Sequence, residues 1–324
     1  MPIRISRRDA LTRLGTTGGV LIGTCALSLS RWDRYAHAQA PSSEAQQVRD
    51  FRIEARGGDV PDFVVAKNNP DPSVLTASAI AALGGMGRFI SRGDVVAIKP
   101  NIGWDRTPMQ AANTNPDVVA ALVKAAYEAG AKHVVVTDNS CNEAQRAFQR
   151  SGILQKATDA GAEVILPSEN RFRTMRLRGE VLDEWPVLVP VIEADKVINV
   201  PIAKHHGLAK VTCAMKNWYG LLGGRRNRLH QDIDISIADL ATFLRPTLTV
   251  IDATRVLVRN GPQGGNLADT KQLDTVIATI DQVAGDAYAC MLLGQQAASL
   301  PYLAIAERRG LGVTDWTKLR VREV

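Results

Sequence analysis

The chain lacks the short motifs that identify the commonest enzyme sites. No G-x-G-x-x-G or G-x-x-x-x-G-K-[ST] loop occurs in its 324 residues, so neither of the usual glycine-rich phosphate loops is predicted. G-x-S-x-G and H-E-x-x-H are also absent, so neither the nucleophile elbow of serine hydrolases nor the zinc-binding helix of zinc proteases is predicted. We therefore look for chemistry in the residues that follow predicted strands.

Cysteine is scarce, at four residues in the whole chain. No C-x-x-C pair exists, so a cofactor of the ordinary cysteine-ligated iron–sulfur type is not expected. Cys141, Cys213 and Cys290 are widely separated, and this odd number gives no disulfide framework. One disulfide among these three stays open, and the sequence does not select the pair.

Long hydrophobic runs are missing as well. The most apolar stretch, residues 14–30, is broken by Gly and Thr and falls short of the roughly 20 residues of a spanning helix. It follows Arg7-Arg8 and precedes Ala36-His37-Ala38, a small-x-small cleavage site. This order predicts a twin-arginine export signal over residues 1–38 and a periplasmic or secreted protein. A membrane anchor is the alternative, and the short, broken run makes it the weaker one.

The predicted signal implies two partners, the twin-arginine translocase and a signal peptidase, and no stable membrane insertion after cleavage. It also carries much of the positive charge. The full chain has 39 Lys and Arg against 33 Asp and Glu, and residues 1–38 hold six Arg and two Asp. The remainder has 33 basic and 31 acidic residues, a net charge of +2. This nearly neutral remainder gives no reason to predict nucleic-acid binding.

The rest of the chain alternates short apolar runs with helical patterns. Residues 39–49 are polar and predict a flexible leader, and residues 50–324 predict a single α/β domain. Strands are predicted over residues 95–98, 133–136, 163–166, 196–200, 248–251 and 276–279. The alternation predicts a mainly parallel sheet with helices on both faces and a small β excursion near residues 171–190. A helix is predicted over residues 209–222.

Polar side chains follow five of these strands. They are Lys99 and Asn101, Asp138, Lys204 and His206, Asp252, and Asp281 and Asp286. Ligands of open α/β sheets bind outside the carboxyl ends of the strands, so these residues predict one shared site.

A basic segment gives the expected charge of the ligand. Residues 196–231 contain seven Lys and Arg and no Asp or Glu, which favours a small anionic ligand. The alternative is a solvated basic face that pairs with the acidic residues just downstream, and the sequence supports both equally.

Individual roles follow from residue chemistry. The candidate catalytic residues are His206, Lys216 and Asp286, and the candidate ligand-binding residues are Lys99, Asn101, Lys204, Thr212, Asn217 and Asp252. The lysines would bind anionic oxygens, and His206 would act as acid or base. Asp252 and Asp286 would orient that histidine or hold a divalent cation, although no ligand spacing identifies a metal. For Lys216, an ion pair with a strand-end aspartate is the competing role.

At these same residues the chain resembles the family called domain of unknown function 362. The resemblance rests on Lys99-Pro100-Asn101, Lys204-His205-His206, Thr212, Lys216-Asn217-x-x-Gly220, Pro246, Asp252, Gly261-Pro262 and residues 281–287. It covers residues 95–294, and Gln282 stands where the family pattern has Pro. It implies an α/β domain with these residues around one site, and His206 as the matched histidine. Many relatives carry a ferredoxin-like module that this chain lacks, so their iron–sulfur cofactor is not carried over.

The sequence thus predicts an exported enzyme, or enzyme-like protein, that acts on a small anionic ligand. A non-catalytic ligand-binding or cofactor-delivery protein is the first alternative. A redox-associated protein with a metal that is not bound by cysteine is the second. The substrate, the cofactor and the oligomeric state are not fixed by the sequence.

Overall fold

A computed structural model describes residues 48–53 and 58–324. The predicted export signal and residues 39–47 of the predicted leader lie outside the described residues. No helix in the described part of the chain has both the length and the apolar character needed to cross a membrane.

Strands form the centre of the structure. Their bounds are β1 (Phe63–Lys67), β2 (Val95–Pro100), β3 (His133–Thr137), β4 (Glu163–Ile165), β5 (Phe172–Arg176), β6 (Glu184–Leu188), β7 (Lys196–Val200), β8 (Ile202–His206), β9 (Lys210–Thr212), β10 (Leu248–Leu257), β11 (Thr270–Thr279) and β12 (Val321–Glu323). The main sheet has the order β12-β1-β11-β10-β7-β2-β3-β4, and β5 and β6 form a separate antiparallel pair. The predicted β excursion is therefore confirmed.

The helices occupy both faces of that sheet. Their bounds are α1 (Pro72–Ala82), α2 (Pro116–Glu128), α3 (Ala144–Arg150), α4 (Ile153–Asp159), α5 (Val189–Ile192), α6 (Ile233–Phe243), α7 (Gln282–Leu292) and α8 (Pro301–Arg308). Successive residues of a strand point to opposite faces, so the sheet contributes to two cores. Apolar residues of α1, α2 and α4 pack in one core with Val64, and those of α6, α7 and α8 pack in the other with Val65. The predicted α/β class with helices on both faces is confirmed.

Most of the main sheet is parallel, as predicted. From β10 through β7, β2 and β3 to β4 every neighbouring pair is parallel. Helix α2 begins after Asn115, whose side chain accepts a hydrogen bond from the amide of Asp117, with Pro116 in the first turn. Parallel neighbours place their carboxyl ends at one edge of the sheet, and the polar residues after β2, β3 and β7 meet there.

The strand predicted over residues 276–279 exists within β11 but runs antiparallel to β10. The connection between them contains only a short 3₁₀ turn, Leu267–Asp269, and no crossover helix, which is the arrangement of an antiparallel pair. Its carboxyl end therefore lies at the opposite edge. Asp281, which follows it, instead caps α7 by accepting hydrogen bonds from the amides of Val283 and Ala284. The expectation that Asp281 shares the strand-end site is wrong.

The helix predicted over residues 209–222 is also wrong. Lys210–Thr212 form β9, which pairs antiparallel with β8, and Lys216–Leu221 form a 3₁₀ helix. The backbone between them is held by distant side chains, because Asp286 accepts from the amides of Ala214 and Met215. Tertiary hydrogen bonds thus replace the bonds that an α-helix would make there.

Candidate functional site

A buried ion pair joins the ends of β2 and β3. The Lys99 amine lies 2.6 Å from Asp138 Oδ1, and both side chains are almost fully buried. The second oxygen, Asp138 Oδ2, accepts from the amide of Ile102 at 2.6 Å. Burial lowers the pKa of Lys99, and the adjacent Asp138 carboxylate opposes that shift. This pair is the floor of the candidate site.

Asn217 connects this floor to two further segments. Its side-chain oxygen accepts from Lys99 Nζ and from Asn101 Nδ2, each at 3.1 Å. Its side-chain nitrogen donates to the Lys99 carbonyl oxygen at 3.1 Å and to Asn199 Oδ1 at 2.8 Å. Asn217 therefore has a partner at each side-chain atom and holds the start of the 3₁₀ helix against β2 and β7.

Lys204 extends from β8 into the same region, and no carboxylate of the described residues lies at ion-pair distance from it. Its amine donates to Asn101 Oδ1 at 3.0 Å and to the Ala112 carbonyl oxygen at 2.5 Å, and the residue is 1 % exposed. Burial lowers the pKa of Lys204 to about 7, and the neighbouring Lys99 adds to the shift. Among the described residues, the buried Lys204 amine is therefore hydrogen-bonded to neutral oxygens alone.

Lys216 makes fewer polar contacts than Lys204. It is 5 % exposed, and its amine lies 3.7 Å from the centre of the Tyr219 ring. Within the described residues its amine has no carboxylate at ion-pair distance and no hydrogen-bonded oxygen. Burial, reinforced by the charges of Lys204 and Arg226, lowers the pKa of Lys216 to about 7. The predicted alternative, an ion pair with a strand-end aspartate, is not present.

His206 lies beside these two amines in a fixed tautomer. Its Nδ1 accepts from the amides of Leu208 and Ala209, each at 3.1 Å, so a neutral ring carries its proton on Nε2. Burial, followed by the charge of Lys216, lowers the pKa of His206 far below its usual range. The ring stacks on His230 with centroids 6.0 Å apart, and His230 contacts Tyr219 edge-on. His206 is therefore a neutral hydrogen-bond donor through Nε2.

Thr212 contributes a hydroxyl that has no hydrogen-bond partner among the described residues. It is 4 % exposed, and its Oγ1 is buried without a hydrogen bond. It stands opposite Lys204 in the β8–β9 pair, so the two side chains emerge on the same face. A buried hydroxyl without a partner is unfavourable, and a ligand oxygen would relieve it.

The two candidate aspartates, Asp252 and Asp286, accept hydrogen bonds from backbone amides of the protein itself. Asp286 is fully buried and accepts from the amides of Ala214 and Met215 at 2.5 and 3.1 Å. Burial raises the pKa of Asp286 to about 7. Asp252 accepts from the Asn115 amide at 2.7 Å and from the amide and hydroxyl of Thr254. Both carboxylates position backbone, and no contact joins either of them to His206.

Glycine is required at two positions because neighbouring atoms leave no room for a Cβ. A Cβ on Gly220 would lie 1.8 Å from Asp138 Oδ1 and 2.6 Å from Lys99 Nζ. A Cβ on Gly261 would lie 1.9 Å from the His205 carbonyl oxygen, and the Gly261 amide donates to His205 Nδ1. This hydrogen bond holds His205 against the loop after β10, so His205 does not share the role predicted for His206.

Sequence reasoning underrated several residues of the site. Tyr219 contacts the Lys216 amine, and His230 stacks on His206. Arg226 donates to the carbonyl oxygens of Asn139 and Ser140, each at 2.6 Å, and so fixes the loop after β3. Asn199 could have been predicted from the sequence, because it is an amide inside an otherwise apolar buried strand.

The site brings together Lys99, Asn101, Lys204, His206, Thr212, Lys216 and Asn217 of the predicted set. In the described part of the chain, no group of three or more His, Cys, Asp or Glu is arranged to hold a metal ion. Cys141 is an exposed free thiol, and Cys213 and Cys290 are buried free thiols. What the cluster can do is bind an anion through two amines, an imidazole N–H and a hydroxyl.

Comparison with known proteins identifies the family. The family model described as Domain of unknown function (DUF362) matches residues 96–291, and the chain belongs to that family. A thylakoid-associated protein of Synechocystis sp. is 28 % identical over 247 residues, which cover 72 % of this chain and 73 % of that protein.

Among solved structures, the lactate racemase apoprotein from Thermoanaerobacterium thermosaccharolyticum superposes with a TM-score of 0.41 at 10 % sequence identity. The superposition covers 74 % of this chain and 58 % of the racemase chain.

Proposed function

We propose that this member of the family binds a small anionic molecule between Lys204 and Lys216 and acts on it as an enzyme. One observation carries the proposal. Two lysines, 1 % and 5 % exposed, lie in one cluster, and neither has a carboxylate at ion-pair distance in the part of the chain that the structure describes. Buried charges in proteins are normally paired, so the missing negative charge is expected to come from a ligand.

The pKa values support an anion in particular. Burial lowers the pKa of both Lys204 and Lys216 to about 7, so each amine is poised between its charged and neutral forms. An anion between them would favour the charged form and would be held more tightly below neutral pH. A neutral ligand would offer no such compensation.

Each residue of the cluster then has a role. Lys204 and the unpaired Thr212 hydroxyl bind the anionic oxygens, and the His206 Nε2–H donates a further hydrogen bond. Lys204 and Lys216 both change protonation state near neutral pH, but the Lys204 amine is already hydrogen-bonded to two oxygens, so Lys216 is the candidate general base. Asp286 and Asn217 hold the turn that carries Lys216, and Lys99 with Asp138 supports that turn from below.

Native mass spectrometry combined with calorimetric titration tests the proposal. The full chain is first weighed under native conditions to detect a retained small molecule, and is then titrated with pyruvate and lactate. Lys204→Met and Lys216→Met should each weaken binding about tenfold or more, because each removes a charge-assisted hydrogen bond. Lys210→Met is the matched control, since Lys210 lies in the same segment but is exposed.

The outcomes separate the candidate functions. Turnover of a bound anion supports an enzyme, and tight retention of an unmodified molecule supports a binding or cofactor-delivery protein. Equal anion binding by the wild type and both lysine variants would rule out the site. Metal found in the same sample by elemental analysis would favour the redox-associated alternative.

We also propose export by the twin-arginine pathway, on the strength of Arg7-Arg8, the weakly apolar residues 14–30 and the Ala36-His37-Ala38 site. Replacing both arginines by lysine should leave the protein in the cytoplasm with an uncleaved N-terminus. Fractionation followed by N-terminal sequencing tests this. A double variant that is still exported and cleaved would contradict the proposal.

A further inference from the structure

We infer that Lys216 is a covalent nucleophile that forms an imine with a carbonyl group of the anionic ligand. The inference rests on the proposed function and narrows the ligand class to an anion that carries an aldehyde or ketone, such as a 2-oxo acid. Its basis is the contrast between the surroundings of the Lys216 amine and those of the two neighbouring lysines.

The other two amines are already occupied. Lys99 Nζ contacts Asp138 Oδ1, the Pro100 carbonyl oxygen and Asn217 Oδ1 within 3.1 Å. Lys204 Nζ donates to Asn101 Oδ1 and the Ala112 carbonyl oxygen. An amine that already donates to fixed acceptors is less free to turn its lone pair toward a carbonyl carbon, and it is a poorer nucleophile.

The Lys216 amine contacts a ring face, and among the described residues it donates to no fixed oxygen. It lies 3.7 Å from the centre of Tyr219, whose hydroxyl donates to the Leu229 carbonyl oxygen at 3.0 Å and so keeps the ring in place. The electron-rich face of a tyrosine stabilises a cation without accepting its proton as a carboxylate would. It therefore suits a protonated imine and still allows the free amine to form.

The neighbouring positive charges favour the same chemistry. Lys204 and Arg226 both act on Lys216 electrostatically, and a desolvated lysine next to other cations is a recognised form of activated amine. The neutral imidazole of His206 is close enough to Lys216 to feel its charge, and it carries a proton on Nε2. This N–H can donate a hydrogen bond to the oxygen of the carbonyl under attack.

The proposed step is balanced within the site. The neutral Lys216 amine attacks the carbonyl carbon, and a carbon–nitrogen bond forms as the carbon–oxygen π bond breaks. The two amine protons end on the former carbonyl oxygen, which leaves as water. Solvent carries these protons, and His206 keeps its own Nε2 proton throughout. The product is a neutral imine that can gain one proton from solvent. Nothing is oxidised or reduced, so no co-reactant is needed.

The anionic part of the ligand is placed by the remaining donors. Lys204 and Thr212 emerge side by side from paired positions of β8 and β9. A carboxylate adjacent to the carbonyl, as in a 2-oxo acid, can meet these donors while its carbonyl carbon approaches Lys216. A carbonyl compound without the anionic group would lack these contacts.

Reductive trapping tests the inference. The full chain is incubated with glyoxylate or pyruvate and sodium cyanoborohydride, digested and mapped by mass spectrometry. A reduced imine adds the mass of the ligand less one oxygen atom. The expected result is a single adduct at Lys216, formed at least tenfold faster than at any other lysine, and much slower labelling by acetaldehyde, which has no anionic group.

Two variants and two control ligands complete the design. Lys216→Arg keeps the positive charge but removes the nucleophile, and it should abolish the adduct. Lys210→Arg changes an exposed lysine of the same segment and should leave the adduct unchanged. Glycolate and lactate carry a hydroxyl in place of the aldehyde or ketone, so they should compete for binding without labelling Lys216.

The possible failures are distinguishable. If pyruvate and lactate bind in a manner that depends on Lys204 but no Lys216 adduct forms, the imine is wrong and the anion site stands. If neither pyruvate nor lactate binds and neither glyoxylate nor pyruvate is trapped, both the anion site and the imine are wrong. Labelling at Lys210 that equals labelling at Lys216 would also overturn the inference.

Discussion

Asn217 and Lys99 hydrogen-bond each other in both directions, from the Lys99 amine to the Asn217 side-chain oxygen and from the Asn217 side-chain nitrogen to the Lys99 carbonyl oxygen, each at 3.1 Å. The reciprocal pair fastens the 3₁₀ helix to the end of β2. Because Lys216 precedes Asn217 in the chain, this contact also fixes where the Lys216 amine can reach.

Replacing Asn217 by Ala should therefore cost stability as well as ligand binding. The change leaves the Lys99 carbonyl oxygen, Asn199 Oδ1 and Asn101 Nδ2 without this partner, and an unsatisfied buried polar group costs about 1–3 kcal/mol. We expect the free energy of unfolding in urea to fall by about 3 kcal/mol or more. Asn227→Ala is the control, since Asn227 is exposed and should change the value by less than about 0.5 kcal/mol.

Gly220 makes a second, steric prediction. A Cβ there would overlap Asp138 Oδ1 at 1.8 Å, so Gly220→Ala must displace the Lys99–Asp138 pair. We expect a loss of about 3 kcal/mol in the free energy of unfolding, at the upper end of overpacking effects. Gly87→Ala is a suitable control, because a Cβ at Gly87 would meet nothing within 4 Å. An equal effect of the two substitutions would show that the close approach at Gly220 does not matter.

Much of this site was accessible from the sequence because parallel strands place their carboxyl ends together. Lys99, Asn101 and Lys204 follow or end such strands, and all three were predicted to share one site. The direction of β11 was not accessible in the same way. A strand pattern is the same in both directions, and only the short connection after β10 marks the reversal.

The segment around Lys216 was misread for a different reason. Residues 209–222 have helical spacing, but the amides of Ala214 and Met215 are bound by Asp286, which lies far along the chain. Local propensity is a weak guide where a buried carboxylate competes for the backbone. The sequence order of Lys216 and Asn217 pointed to the site, whereas their geometry depended on α7.

Asp286 should behave as a positioning residue. Asp286→Asn keeps one acceptor oxygen but turns an amide NH₂ toward a backbone N–H, so one of the two hydrogen bonds is lost. We expect the free energy of unfolding to fall by about 1–3 kcal/mol. If the turn then moves, the titration should show weaker anion binding than in Asp183→Asn, an exposed control. Unchanged stability and binding would mean that the turn holds itself.

The pH dependence of stability tests the two unpaired lysines directly. The folded pKa of Lys216 is about 7, whereas lysine in an unfolded chain titrates near 10.5. Between these values the unfolded chain binds more protons, so the free energy of unfolding rises with pH, by at most about 1.4 kcal/mol for each pH unit. Asp286, with its folded pKa raised to about 7, acts in the opposite sense and only below that pH.

Urea unfolding from about pH 7 to about pH 9 should therefore show a rising free energy of unfolding for the wild type and a flatter curve for Lys216→Met. Lys204→Met should flatten it similarly, because burial lowers the pKa of that amine to the same value. Lys210→Met should keep the wild-type slope. A bound anion should raise the pKa of both buried amines and shift the rise to higher pH. Identical slopes in all four proteins would mean that neither amine is deprotonated on folding, and the case for an anion between them would lose its electrostatic basis.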